Sequence, residues 1–314
     1  MKNSTSPRIS GPYNFENLSL YLIHGVDLLP HGSYDVLKRA MERKEAVVHE
    51  TGTVGELLIE NLGDIDLFIQ SGEIVKGGRQ DRMLGVDLIV GKKSGRVPIP
   101  SFCVEQSRWH KRGHESAVAF SASPSYLASK AVKASAKLDA NQGKVWDSVT
   151  EEQVKLSAAV HAPVAAAASP SSYQLTLEHE KVQERIKGGL EKLRPLLHDH
   201  LDAIGFAFAI RGELNSAETY ANHDLFAQLW EKLLTAAVTE AAAEHLVPRG
   251  KDVKDPALHE VENFLKNSKS ELAQERAITP RVLFRQYRSK AKASFETADL
   301  ERGAVSVHTS VLSS

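Results

Sequence analysis

The apolar positions of this chain change period along its length, and the changes mark out its elements. Residues 17–27 (NLSLYLIHGVD) alternate with the two-residue period of a strand. Residues 34–43 take the helical period behind Ser33, a good N-cap residue. From residue 46 to about 120, short apolar runs recur between turn signals: 46–49, 54–61 before Gly63-Asp64, 67–69 before Ser71-Gly72, 73–75, 86–90 before the loop 91–96, and 97–104. Pro98 and Pro100 place the last run at an edge or a strand start, because proline donates no ladder hydrogen bond. Short strands spaced by glycine turns predict an antiparallel sheet or a small sandwich.

Further along, the helical period takes over. Val145, Trp146 and Val149 predict a helix over 141–158, after a Ser-, Ala- and Lys-rich stretch, 121–140, that has no clear period. Residues 161–173, rich in Ala, Pro and Ser, read as a linker. Val182, Ile186, Leu190, Leu193 and Leu197 fall on one helix face, and Pro195 kinks or ends that helix. Residues 204–210 read as a buried strand with 213–220 as its hairpin partner. Asn222 caps a helix whose apolar face is Leu225, Phe226, Leu229, Leu233 and Ala237. Asp255-Pro256 opens another helix, and 282–295 and 304–312 are late strands.

The expected fold class is α+β: an N-terminal antiparallel β-rich region, sheet or sandwich, followed by a helix–hairpin–helix-rich C-terminal half. The expected division is a disordered N-terminus over 1–14, the β-rich region with short helices over 15–160, the linker-like segment 161–173, and 174–314 packing with the first part as one unit. Residues 68–74 echo 208–214, since each reads strand, Gly-Glu turn, strand; a hairpin turn alone produces such a match.

Charge narrows the function. Lys plus Arg is 39 against 40 Asp plus Glu in 314 residues, which argues against general attraction to nucleic acid or an anionic membrane. Anion binding must therefore come from a local cluster. Apolar residues make up 42%, enough for a sizeable core, yet no run is apolar for a bilayer span. The polar start of the chain lacks the apolar stretch of a signal peptide, and the single cysteine, Cys103, suits a reducing compartment. Cytoplasmic residence is the expectation.

The densest candidate chemistry is Lys76-Gly77-Gly78-Arg79-Gln80-Asp81-Arg82. Paired glycines let backbone amides approach a ligand, and two guanidinium groups can grip phosphate or carboxylate oxygens in pairs. The run is neither a Walker loop nor a dinucleotide-binding fingerprint. A tight turn with an Asp–Arg structural pair is the competing interpretation. Glu105-Gln106-Ser107-Arg108-Trp109 is the second cluster: Trp109 can stack on a base and Arg108 can add a phosphate contact. Asp81 and Glu105 are the nearby general-base candidates, and Gly77, Gly78, Arg79, Gln80, Arg82, Gln106, Arg108 and Trp109 are the expected ligand-binding set. Cys103 reads as a buried hydrophobe, and His198, Asp199 and His200 read as helix-end capping. No metal site and no cofactor is predicted.

The stretches 60–64 and 72–82, the runs Val104-Glu105-Gln106-Ser107-Arg108-Trp109 and Gln142-Gly143-Lys144-Val145-Trp146, and the strand–hairpin–helix at 205–230 resemble a bacterial family named for its association with ADP-ribosylglycohydrolases and rhodanese-phosphatases. The resemblance spans about residues 15–312. It implies a role near NAD and ADP-ribose metabolism and carries no assigned catalytic residues. The expected function is binding or processing of an ADP-ribose-like or other phosphorylated nucleotide metabolite, with a small nucleotide-like molecule as partner, no membrane and no nucleic acid. One rival is a non-catalytic scaffold protein with a structural arginine network. Another is RNA binding through Arg281, Arg285, Arg288, Lys290 and Lys292, with Phe284 and Tyr287 between them.

Overall fold

The computed structural model describes residues 7–244, 253–266 and 271–314. They fall into two compact units, each assembled from separated stretches of chain. The first takes its described residues from Met1–Gly32, Lys192–Trp230 and Pro248–Ser314, and the second from Ser33–Glu191 and Glu231–Val247.

The first unit is built on an eight-stranded sheet. Its order is Arg8–Phe15, Leu18–His24, Ala203–Ile210, Glu213–Tyr220, Val305–Ser313, Lys292–Asp299, Val282–Arg288 and Leu272–Ala277. All neighbours are antiparallel. Strand alternation separates its two faces. Tyr21, Ile23, Ala207, Ala217 and Val311 point to one side and bury Val261 of the helix Leu258–Lys266. Phe206 and Phe208 point to the other, where rings of Tyr220, Phe226 and Trp230 stack or meet edge to face around Phe206 and each other.

The second unit holds a six-stranded antiparallel sheet, ordered Phe120–Leu127, Glu73–Gly77, Arg82–Leu84, Val97–Cys103, Glu56–Asn61 and Ala46–Glu50, and a three-stranded sheet of Asp35–Val36, Leu67–Ile69 and Leu88–Val90. The helices Lys130–Lys137, Gln142–Ala159 and Tyr173–Leu177 bury Val132, Val145, Val149, Leu156, Tyr173 and Leu177 with Ile74, Met83 and Val104 of the strand region. Pro98 and Pro100 lie inside the sheet order rather than at its rim. They sit in the half of their strand that pairs only with Glu56–Asn61; the pairing on the other side begins at Ser101, so no ladder donor is lost.

This architecture overturns the expected β-rich N-terminal region followed by a helix-rich C-terminal half. Strands run through the whole chain, and five of the eight in the large sheet lie beyond residue 212. The physical reason is the pairing of Leu18–His24 with Ala203–Ile210, a contact that local periodicity cannot register. The α+β content itself stands. Of the expected disordered residues 1–14, residues 1–6 lie outside the described residues, and Arg8–Phe15 is a paired strand. The stretch 161–173 lies within the second unit and ends in the cap of Tyr173–Leu177. The echoed segments also part company: Leu67–Ile69 and Glu73–Gly77 enter different sheets, while Ala203–Ile210 and Glu213–Tyr220 form one hairpin. Among the described residues, no helix is long and apolar enough to cross a membrane.

Candidate functional site

The strand Glu73–Gly77 ends in a turn through Gly78, Arg79 and Gln80, and Arg82–Leu84 leads back beside it. Gly78 adopts φ +55°, and a Cβ there would meet the Phe120 ring at 2.3 Å, so only glycine fits. Asp81 and Glu105 lie side by side at the base of this turn, both completely buried. Two arginines neutralise them. Arg112 meets Asp81 with two parallel hydrogen bonds of 3.0 and 3.1 Å and donates to Glu105 Oε1 at 3.0 Å. Arg108 meets Glu105 the same way, at 2.7 and 2.6 Å. Its remaining N–H groups donate to the carbonyls of Gly77, Gly78 and His110, so its fork is fully used.

Further donors close the centre. Ser172 Oγ and the Gly77 amide donate to Asp81, and the Asp81 amide donates to Glu105. Gln80 donates to the Glu105 carbonyl and accepts from Arg82. Burial and the facing Glu105 charge push the Asp81 carboxyl up. Burial is the strongest influence on Glu105 too, but the Arg108 guanidinium, the Ser169 hydroxyl and the Asp81 amide together outweigh it and hold that carboxyl below its usual range. Opposed shifts of this kind suit paired acids in catalysis. Here, however, each carboxylate oxygen already accepts at least two hydrogen bonds from the protein.

Arg82 and Arg79 behave differently. Arg82 is fully buried, and among the described residues its Nε and Nη2 have no hydrogen-bond partner. Its nearest carboxylate, on Glu50, stands 3.9 Å from Nη2, and desolvation pushes the guanidinium below its ordinary value. Arg79 is exposed, and among the described residues nothing hydrogen bonds or ion-pairs with its guanidinium. Both guanidinium carbons face the Trp109 ring, at 5.3 Å for Arg79 and 5.6 Å for Arg82. The indole is 41% exposed, which leaves part of its surface to solvent. Gln106, three residues before Trp109, is exposed, with its carbonyl held by Ser171.

The two predicted clusters therefore do converge, but their members divide. Gly77, Gly78, Gln80, Asp81, Glu105 and Arg108 face inward. The Gly77 amide serves Asp81 rather than a ligand, and the glycine carbonyls serve Arg108. Arg79, Gln106 and Trp109 face outward. Sequence reading missed Arg112, Ser172 and Glu50. Ser172 was legible as an N-cap before an apolar turn, since its side chain accepts from the Leu175 amide. Arg112 left no signal in its Lys-Arg-Gly loop. In the basic stretch near the C-terminus, Arg281 pairs with Asp299 at 2.7 Å and Arg285 with Glu275 at 2.6 Å. The Lys292 ammonium donates to the Phe264 carbonyl. Cys103 is buried, burial raises its thiol, and its Sγ donates to the Glu105 carbonyl. Among the described residues, no group of three or more His, Cys, Asp or Glu is placed to hold a metal ion.

Fold and centre together define a β-rich α+β protein with an arginine–carboxylate core beneath a tryptophan-capped surface. The chain belongs to the ARG and Rhodanese-Phosphatase-superfamily-associated Protein domain family, ARPP-1, whose model matches residues 6–312. No curated protein and no solved structure matches it.

Proposed function

We propose that the outward half of this centre binds a phosphorylated nucleotide metabolite of the ADP-ribose type. The observation that carries the reading is the exposed Trp109 ring near two guanidinium groups, one of which, Arg79, has no acidic partner among the described residues. An adenine can stack on the free indole surface while Arg79 takes a phosphate, and Gln106 can hydrogen bond a ribose hydroxyl. Arg82, with its guanidinium carbon 5.6 Å from the ring centroid, adds positive potential without touching solvent. Arg108 and Arg112, neutralised by Asp81 and Glu105, hold the turn in shape. The family name ties the domain to ADP-ribosylglycohydrolases, which supports this ligand class and a place in NAD-related metabolism.

Titration calorimetry with ADP-ribose, AMP and inorganic phosphate tests the reading. ADP-ribose should bind, and Arg79→Ala and Trp109→Ala should each weaken it about tenfold, the loss of one charge-assisted contact or one stacked base. No heat with any of the three sinks it. The second reading, a scaffold protein with a structural arginine network, is favoured by the complete use of the Arg108 fork. It predicts no ligand and unchanged behaviour of Arg79→Ala.

A further inference from the structure

In the first unit, Ser10, His24 and Asp202 line up by hydrogen bonds. Ser10 Oγ lies 2.7 Å from His24 Nε2, and His24 Nδ1 lies 2.7 Å from Asp202 Oδ1. His24 ends the strand Leu18–His24 and stands opposite Arg8 on one side and Ala203 on the other. Asp202 immediately precedes the strand that begins at Ala203. The register of the first strand breaks between Ser10 and Tyr13, where Gly11 takes φ +121° and a Cβ would meet the Leu20 carbonyl at 2.7 Å. Bulges of this kind re-aim a side chain and occur beside active sites.

The proton positions follow from the partners. A carboxylate only accepts, so the His24 proton sits on Nδ1 and the Nε2 lone pair faces Ser10. Tyr13 donates to Ser10 Oγ at 3.1 Å, which leaves the serine proton for His24. With its only proton so used, Tyr13 accepts from His200 Nε2 at 2.9 Å. The His200 ring also sits edge-on to His24, with centroids 5.4 Å apart. The groups facing His24 are therefore Ser10, Tyr13, His200, Asp202 and, through Asp202, Arg8 at 2.6 Å. His24 is buried while Ser10 is half-buried. His24, Asp202 and Arg8, but not Ser10, line a cavity of about 440 Å³ whose other walls include Ile204, Tyr220 and Thr309, so the serine meets its substrate at the margin of that cavity, across His24. Its volume is that of a small-molecule site.

We propose that Ser10 is a nucleophile, His24 its general base and Asp202 the positioning residue of a hydrolase for small carboxylic esters, independent of the nucleotide surface in the second unit. Ser10 Oγ attacks the ester carbonyl and its proton passes to His24 Nε2. The tetrahedral intermediate expels the alcohol, which leaves with the proton from His24. Water then attacks the acyl-serine, gives its proton to His24 and releases the carboxylic acid as Ser10 regains its hydrogen. Asp202 is 54% exposed by side chain, so its orienting pull is softened by water.

The test treats the whole protein with a fluorophosphonate probe and with p-nitrophenyl acetate. The expected result is one phosphonyl adduct mapped by mass spectrometry to Ser10, together with ester turnover. Ser10→Ala should abolish both. His24→Gln should slow adduct formation by about a hundredfold, the size of a general-base contribution. Asp202→Asn should slow it less and move the pH midpoint of labelling downward, because an amide stabilises the imidazolium less than a carboxylate does; a merely structural Asp202 would leave that midpoint in place. Circular dichroism confirms folding of each variant, and adduct mapping on the unsubstituted protein decides the question if a variant fails to fold. An unlabelled Ser10, or labelling whose rate ignores His24→Gln, overturns the proposal.

Discussion

Arg112 and Asp81 face each other in a fork-on-fork pair, with Nη1 3.0 Å from Oδ2 and Nη2 3.1 Å from Oδ1, inside the second unit. Arg112 also reaches Glu105 and Glu115, so one guanidinium gathers three carboxylates. Removing it strands the Asp81 carboxylate, which has no access to water, while Glu105 keeps its pair with Arg108. Arg112→Ala should therefore lower stability by about 3–5 kcal/mol, as measured by urea unfolding. Arg112→Lys should recover little of the loss, because a point charge cannot pair with both oxygens of Asp81. A lysine variant as stable as the parent would contradict this account.

Gly78 should resist substitution. Its left-handed backbone and the Phe120 ring at 2.3 Å from a built Cβ act together. Gly78→Ala is expected to cost at least about 2 kcal/mol, since left-handed backbone alone accounts for 1–2. In a double-mutant cycle with Phe120→Leu, the two costs should not add, because the smaller side chain relieves the clash. Additive costs would mean the ring is not the obstacle.

Glu152 makes the second unit sensitive to base. Burial, reinforced by the Glu240 charge, pushes its carboxyl up to about 8 from an ordinary 4.5. A carboxyl raised in the folded state keeps its proton there, so its contribution is intact below about pH 4.5 and turns unfavourable as pH climbs toward 8. At about 1.4 kcal/mol for each unit of difference, the loss by pH 8 is on the order of 4 kcal/mol. Glu152→Gln should flatten the fall of the urea midpoint between pH 5 and pH 8. An unchanged slope would refute the assignment.

The buried pair of Lys232 with Glu73 gives a fourth expectation. Both side chains are almost wholly inaccessible, and the ammonium donates directly to Glu73. Lys232→Met should cost about 3–5 kcal/mol, and adding Glu73→Gln should restore much of it, since the damage comes from an unpaired buried charge. Thermal unfolding of the two variants checks the order.

What the chain reveals by itself is what depends on near neighbours. Asn141 announces the helix Gln142–Ala159 by accepting from the Lys144 amide. Pro195 sits in the first turn of a tighter helix, Arg194–Asp199, where the long helix Glu180–Leu193 stops. The hairpin of Ala203–Ile210 and Glu213–Tyr220 turns at Gly212 as its pattern foretells. The arginines at the centre were not separable in this way. Arg79 and Arg82 are three residues apart, yet one lies in an open turn and the other in a strand buried on both faces. Ser172 reaches Asp81 from 91 residues away, and Asp202 reaches His24 from 178. Such partners are chosen by topology, and no local period records them.

The interleaving of the large sheet bears on how the protein is made. Leu18–His24 leaves the ribosome early, but one of the two strands flanking it, Ala203–Ile210, is translated some 180 residues later. At a synthesis rate of roughly 5–20 residues per second, a predominantly apolar strand waits about ten seconds or more for its mate. That interval is when a chaperone would have most to shield, and a cut anywhere between the two segments would leave neither product able to rebuild the sheet.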